Sequence, residues 1–429
     1  MKKIPMCFPV VAQDAINYLI GKHLANSQIS CVLRLKGRIN ETMLKQAVRL
    51  SLDVEPILGC RLIENDNNPV WELRDDLDEI ELCSVIETDS VDVELQKFIG
   101  ARYEFVSDCQ LKVRVLRAES DIICVKINHA CSDAGGLKQY LNLLISIYDL
   151  LFKGQQYVVQ FRSSYSRGQD QILRIPNAAN IVGEIAKTGV NPSRPTVAFP
   201  CNPGENKEQA FILKKLYPVD KIADYARKND ATVNDVLLTA FNRALPKMAK
   251  IENKTISVYI TMDLRRYLID HKTEAICNLS AMLPVMISND STESFEATLS
   301  KLVIETRKLK SNNSGIKSAY LLEMAHAKLS FKDGSIRFQQ RRKQTSMNQL
   351  CIPTFSNVGI IAKETMKFGL LEVAECYIVG PAAFSPDFGM VASTYENTMT
   401  LAVNFFQSTM QKETIEQFID AILNELPIH

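Results

Sequence analysis

Between about residues 155 and 208 the chain loses the alternation of helical and extended segments that marks the stretches on either side. Ser163, Ser164, Ser166 and Gly168 lead into Asn191-Pro192-Ser193-Arg194-Pro195 and then Cys201-Asn202-Pro203-Gly204. Proline fixes φ and removes a backbone donor, while glycine and asparagine favour turns, so this stretch extends neither a helix nor a sheet. It reads as a crossover between two folding units. A length of 429 residues exceeds one ordinary core and suits two domains of about 200 residues. The expected division is an N-terminal unit over 1–160, a crossover over 161–208 and a C-terminal unit over 209–429.

In the first unit, residues 30–35 read as a strand, and Asn40 caps a helix with Met43, Leu44, Ala47 and Val48 on one face. A second strand over 122–128 sets Ile123, Val125 and Ile127 against Cys124, Lys126 and Asn128. A Gly135-Gly136 turn follows, then a buried helix carrying Leu137, Tyr140, Leu141, Leu144 and Tyr148. The second unit restarts with Thr232, which can cap a helix with Asp235 at the third position of a capping box. Strands are expected at 256–261, 282–287, 353–360, 370–378, 390–395 and 399–406, with helices over 294–309 and 413–426. No regular strand–helix–strand rhythm or internal repeat is evident, which favours a mixed α/β (α+β) architecture.

Charge narrows the range of functions. Fifty basic residues face 49 acidic ones, a net charge of +1, which argues against nucleic acid or an anionic membrane as an electrostatic partner. No apolar run reaches bilayer-spanning length, so no transmembrane segment is expected. Eleven cysteines lie scattered from Cys7 to Cys376 without a CxxC pair, and read as buried thiols in a reducing compartment. The five histidines show no metal-ligand spacing, so no metal or bound cofactor is expected. Pro5, Pro9 and Asp14 interrupt any signal-peptide core, and a cytoplasmic location is the expectation.

The stretch Asn128-His129-Ala130-Cys131-Ser132-Asp133-Ala134-Gly135-Gly136 carries the chemistry. A histidine stands where a strand gives way to a loop, a place where rigid scaffolds present functional groups. Imidazole titrates near pH 6.5, so it can take a proton and return it near neutrality. The aspartate four residues on can orient the ring or the loop, and the two glycines permit positive φ and close backbone approach. The plain alternative is a core histidine beside a helix-capping aspartate.

With its flanking strand and helix, His129-x-x-x-Asp133-x-Gly135 resembles the His-His-x-x-x-Asp-Gly signature of peptide-synthetase condensation domains, wax-ester synthases and alcohol acetyltransferases. It is also similar to the His-x-x-x-Asp motif of plant acyl-CoA-dependent acyltransferases and of chloramphenicol and carnitine acyltransferases. Four further segments resemble that superfamily in the expected order. They are Gly37 to Asn40 with Glu55-Pro56-Ile57-Leu58-Gly59-Cys60-Arg61, Ala231-Thr232-Val233-Asn234-Asp235-Val236-Leu237, Met262-Asp263-Leu264-Arg265-Arg266, and Thr354-Phe355-Ser356-Asn357-Val358-Gly359.

The resemblance implies two chloramphenicol-acetyltransferase-like lobes with a tunnel between them, entered by donor and acceptor from opposite faces. His129 would be the general base. Asp133 would hold the loop through an arginine, Arg265 first and Arg266 as the alternative, with Gly135 and Gly136 letting the loop approach the tunnel wall. Ser356, Asn357 and Asn128 are the candidates for lining the tunnel or donating to an oxyanion. The implied co-substrate is acyl-CoA, or a phosphopantetheine thioester on an acyl or peptidyl carrier protein, with a hydroxyl or amine as acceptor. A protein that keeps the fold but has lost turnover is a further reading. Asp387-Phe388-Gly389 is similar to a plant-enzyme motif but reads as a turn entering a strand, and Arg341-Arg342-Lys343 reads as a solvated helix face rather than a coenzyme A phosphate site. Two departures stand out: Asn128 replaces the first histidine of the longer signature, and Ala134 replaces its glycine.

Overall fold

The computed structural model describes residues 4–104, 107–159, 166–185, 196–251, 255–288, 290 and 292–427. Ser163, Ser164, the run at 191–195 and His429 lie outside the described residues.

Two six-stranded sheets organise the molecule. The first runs Lys367–Phe368, Leu371–Val379, Gln28–Leu35, Asp121–Asn128, Leu111–Arg117 and Cys83–Glu87 from edge to edge. The second runs Ser280–Ser288, Thr255–Asp263, Thr354–Ile361, Gly389–Tyr395, Thr398–Phe406 and Gln209–Leu216. A three-stranded sheet of Cys7–Pro9, Val70–Leu73 and Cys60–Ile63 and a pair of two-residue strands complete the ladders. Helices cover the sheets, giving a mixed α/β molecule of two lobes. The chain crosses between the lobes late: Leu371–Val379 pairs antiparallel with Gln28–Leu35, setting Cys376 opposite Leu33 and Val379 opposite Ser30. One apolar core accordingly unites Leu33, Trp71, Val125 and Tyr140 with Phe368, Val373 and Ile378. The other gathers Phe241, Val258, Leu283, Phe355 and Phe418.

The helix caps follow local side-chain chemistry. Asn40 Oδ1 accepts from Met43 N–H at 3.0 Å at the start of Glu41–Val54. Thr232 and Asp235 form a reciprocal capping box ahead of Val233–Met248, and Ser294 caps Phe295–Ser311.

Several expectations need correction. The Asp121–Asn128 strand does not alternate between inside and outside; all eight residues are buried. A helix at Val91–Gly100 covers its second face with Leu95, Phe98 and Ile99. Lys126 survives there because its ammonium donates to the carbonyls of Phe98 at 2.7 Å and Ala101 at 2.8 Å. Burial still pushes its pKa down to about 7. Gly135 and Gly136 are not a turn: they form the first turn of the helix Ala134–Phe152, and neither has positive φ. The crossover contains helical turns at Asp170–Leu173 and Ala178–Ile185, and Ile172, Val197 and Phe199 enter the second core. A helix at Ser314–Lys328 stands where no element was expected, and Phe331–Asn348 extends well beyond the helix face expected at 341–343. The eleven cysteines are free thiols, but Cys7 is exposed and Cys201 only half-buried. Among the described residues no helix is long and apolar enough to cross a membrane.

Candidate active site

His129 directly follows the central strand Asp121–Asn128 of the first sheet, and its N–H donates to Ser27 O at 3.0 Å, extending the ladder by one residue. Its carbonyl is held from both lobes: Asn17 Nδ2 donates to it at 3.2 Å and Asn278 Nδ2 at 2.9 Å. Asn278 also donates to Ala130 O at 2.9 Å. The loop backbone is thus fixed, while the imidazole is not. Its Nδ1 is buried without a partner, and among the described residues no group bonds either ring nitrogen.

Asp133 caps the following helix, and both of its oxygens are bonded to groups other than that ring. Its Oδ1 accepts from Gly136 N–H at 2.8 Å, and its Oδ2 accepts from Arg265 Nη1 at 3.0 Å and from Leu279 N–H at 2.8 Å. A second guanidinium nitrogen lies 3.0 Å from Oδ1, making the pair bidentate. Burial alone would raise the Asp133 pKa, but the Arg265 charge and these hydrogen bonds hold it below the usual carboxylate value. Arg265, 3% exposed, also donates to Cys277 O at 2.9 Å and to Asp263 Oδ1 at 3.2 Å. Arg266, the alternative partner, is exposed beside Tyr267.

The two glycines are explained by closeness rather than by dihedral freedom. A Cβ on Gly135 would stand 2.5 Å from Arg265 Nη1, and one on Gly136 would stand 2.4 Å from Ser132 Oγ and 2.8 Å from Cys277 O. Either methyl group would collide with atoms already pinned by the Asp133–Arg265 pair.

Asn128 is committed to the loop. It donates to Gln110 Oε1 at 2.8 Å and accepts from Ala130 N–H at 3.0 Å. Ser356 and Asn357 lie on the Thr354–Ile361 strand of the second sheet, paired with Val391 and Ala392. Ser356 Oγ lies 2.7 Å from Thr261 Oγ1, and Asn357 Oδ1 accepts from Gly359 N–H at 3.0 Å. Where the register of that strand breaks, Lys138 of the helix behind His129 donates across the lobes to Val358 O at 2.8 Å. Asp387 precedes the Gly389–Tyr395 strand, with Phe388 in the aromatic core 4.1 Å from Phe199. Arg341 and Lys343 are solvated, whereas Arg342 turns inward to the Ser385 carbonyl at 2.6 Å.

Sequence reasoning missed a second buried ion pair behind the loop. Arg167 Nη2 lies 3.2 and 3.1 Å from the two oxygens of Asp14 and donates to Cys131 O at 3.0 Å, while Nη1 donates to Ile276 O. Asp14 is fully buried and accepts from Trp71 Nε1 at 3.0 Å. Arg167 belongs to no recognisable motif, so only the three-dimensional arrangement reveals it.

No family model and no curated protein matches the sequence. Solved structures match over nearly the whole chain. Trichothecene 15-O-acetyltransferase from Fusarium sporotrichioides shares 13% identity, with a TM-score of 0.72, covering 98% of this chain and 94% of its own. The first condensation domain of the calcium-dependent antibiotic synthetase gives 12%, 0.68, 98% and 95% in the same order. This is the condensation-domain fold. Polyketide synthase associated protein 5 from Mycobacterium tuberculosis shares it as well, at 13% identity and TM-score 0.66, covering 96% of each chain. Within the condensation-domain fold of this chain, the His129 loop is a short segment gripped from both lobes.

Proposed function

We propose that the chain is an acyltransferase in which His129 is the general base. In the tautomer with its proton on Nδ1, Nε2 carries the lone pair. That nitrogen takes the proton of a hydroxyl or amine acceptor as the acceptor attacks a thioester carbonyl. The new C–O or C–N bond forms, the C–S bond breaks, and the imidazolium returns the proton to the departing thiolate. Asn357 spends its side-chain oxygen on Gly359, which leaves its amide N–H groups to meet the developing oxyanion, a contribution of roughly 3–4 kcal/mol where preorganised.

The observation that carries this reading is the contrast between the His129 backbone, held from both lobes, and its ring, which no described residue bonds. A merely structural histidine would spend its ring nitrogens on protein partners. Asp133, turned to Arg265, acts as a positioning residue. Acyl-CoA is the favoured donor. A carrier-protein-bound phosphopantetheine thioester is the second reading, supported by the likeness to a synthetase condensation domain.

The test offers the purified protein a panel of acyl-CoAs with alcohols and amines and follows free thiol beside a His129→Ala control. Removing a general base is expected to cost about 10²–10⁴-fold in rate. Equal release from both proteins would sink the assignment, and release only from a carrier-bound donor would favour the second reading.

A further inference from the structure

A cavity of about 620 Å³ lies between the first lobe and residues 273–276 of the second, and His129 is not among its walls. Its volume falls within the roughly 300–1,000 Å³ of small-molecule sites. Apolar groups from five segments of the chain share the wall with polar ones, among them Phe8, Ile57, Leu143, Tyr157, Val158 and Ile276. Glu55 lines it from the end of the Glu41–Val54 helix, half-buried.

Among the described residues no cation hydrogen-bonds Glu55. Arg167 also lines the cavity; its guanidinium bonds Asp14 and the carbonyls of Cys131 and Ile276, and it acts on Glu55 through its charge alone. Glu274 adds a second carboxylate to the wall, and the Tyr157 phenol carries no positive charge. The remaining support is the Ile276 N–H. A chamber of mixed wall, whose Glu55 carboxylate has no hydrogen-bonded cation among the described residues, is complementary to a molecule with an apolar body and one ammonium group.

We propose that this cavity is a second binding site, separate from His129, for a small amphiphilic amine whose ammonium pairs with Glu55. Burial pushes the Glu55 carboxyl up to about 7, with the Arg167 charge and the Ile276 N–H opposing the rise. An ammonium brought against it favours the ionised form. Binding therefore releases a proton near pH 7, and affinity falls as pH drops below that value.

The test is calorimetric titration of the full chain with 2-phenylethylamine, whose ammonium stays protonated from pH 6 to 8, and with 2-phenylethanol as its neutral counterpart. Binding at pH 8 should be at least tenfold tighter for the amine than for the alcohol, should weaken at pH 6, and should release protons in buffers of differing ionisation enthalpy near pH 7. Glu55→Gln, nearly isosteric, should loosen amine binding tenfold or more while its circular dichroism and unfolding midpoint report an intact fold. Leu143→Trp should block the chamber with Glu55 still present, and His129→Ala should leave binding unchanged. Equal affinity for amine and alcohol, or binding indifferent to both Glu55→Gln and Leu143→Trp, would overturn the proposal. So would loss of binding in His129→Ala.

Discussion

Replacing Arg265 by methionine is the sharpest probe of how the candidate site is held. Methionine keeps most of the apolar stem and removes the guanidinium, which lies 3.0 Å from each Asp133 oxygen. At an effective dielectric constant near 20, charges at that distance attract by about 5 kcal/mol. Breaking a buried pair by removing one partner typically costs about 3–5 kcal/mol, because the surviving charge stays buried. Two N–H groups, from Gly136 and Leu279, remain on the carboxylate and place the loss toward the lower end, while the Cys277 carbonyl loses its donor and adds about 1 kcal/mol. The expected cost is about 4 kcal/mol, read from urea unfolding by circular dichroism and by fluorescence of Trp71, the single, fully buried tryptophan. Adding Asp133→Asn removes the stranded charge but keeps an oxygen for the Gly136 N–H, so the double variant should recover about 2 kcal/mol. The sign of the pH effect is fixed as well. A depressed carboxyl pKa contributes stability above the unfolded value near pH 4, which is lost as pH falls through the folded value. Arg265→Met forfeits that contribution, and its acid unfolding should begin at higher pH. A single-variant loss below about 1 kcal/mol, the value of an exposed pair, or a double variant no better than the single, would refute the reasoning.

Two further outcomes are expected. Lys126 binds fewer protons folded than unfolded between its folded value of about 7 and the unfolded value near 10.4. Wild-type stability should therefore rise from pH 7 to 9.5 relative to Lys126→Met, by on the order of 2 kcal/mol in paired urea titrations; equal slopes would show that the ammonium is not desolvated. Gly136→Ala puts a methyl 2.8 Å from the Cys277 carbonyl, and should lower stability by about 1–3 kcal/mol and slow thiol release, whereas an unchanged melting midpoint would mean that the interface between the lobes yields freely.

Three of the six strands of the first sheet and five of the six of the second are legible in the sequence because their apolar residues are bounded by turn formers, and the caps at Asn40 and Thr232 are legible because capping is a local event. Ser314–Lys328 and the extent of Phe331–Asn348 escape for a physical reason: among their described side chains only Gly315, Ile316, Ala319 and Phe331 are buried, which leaves no apolar stripe to read. The Asp121–Asn128 strand misleads in the opposite way, since Lys126 and Asn128 mimic a solvent face while being enclosed. At the site, the order of His129, Asp133 and the glycines could be read along the chain, and so could Arg265 once a resemblance supplied a role. Asn278 and Arg167 could not. They reach the loop from 149 and 36 positions away and have no spacing that announces them.

The strand Leu371–Val379, which completes the first sheet from the far end of the chain, has a consequence during synthesis. Once Asp121–Asn128 has emerged and paired with Gln28–Leu35, the other side of Gln28–Leu35 waits for a partner lying roughly 250 residues further on. At about 5–20 residues per second, the ribosome supplies it only after roughly 10–50 s. For that interval an apolar strand with unpaired backbone groups stands open on the nascent chain, the kind of edge that invites pairing with another molecule. Residues that end up in the middle of the finished sheet are thus the ones most in need of protection while the protein is being made.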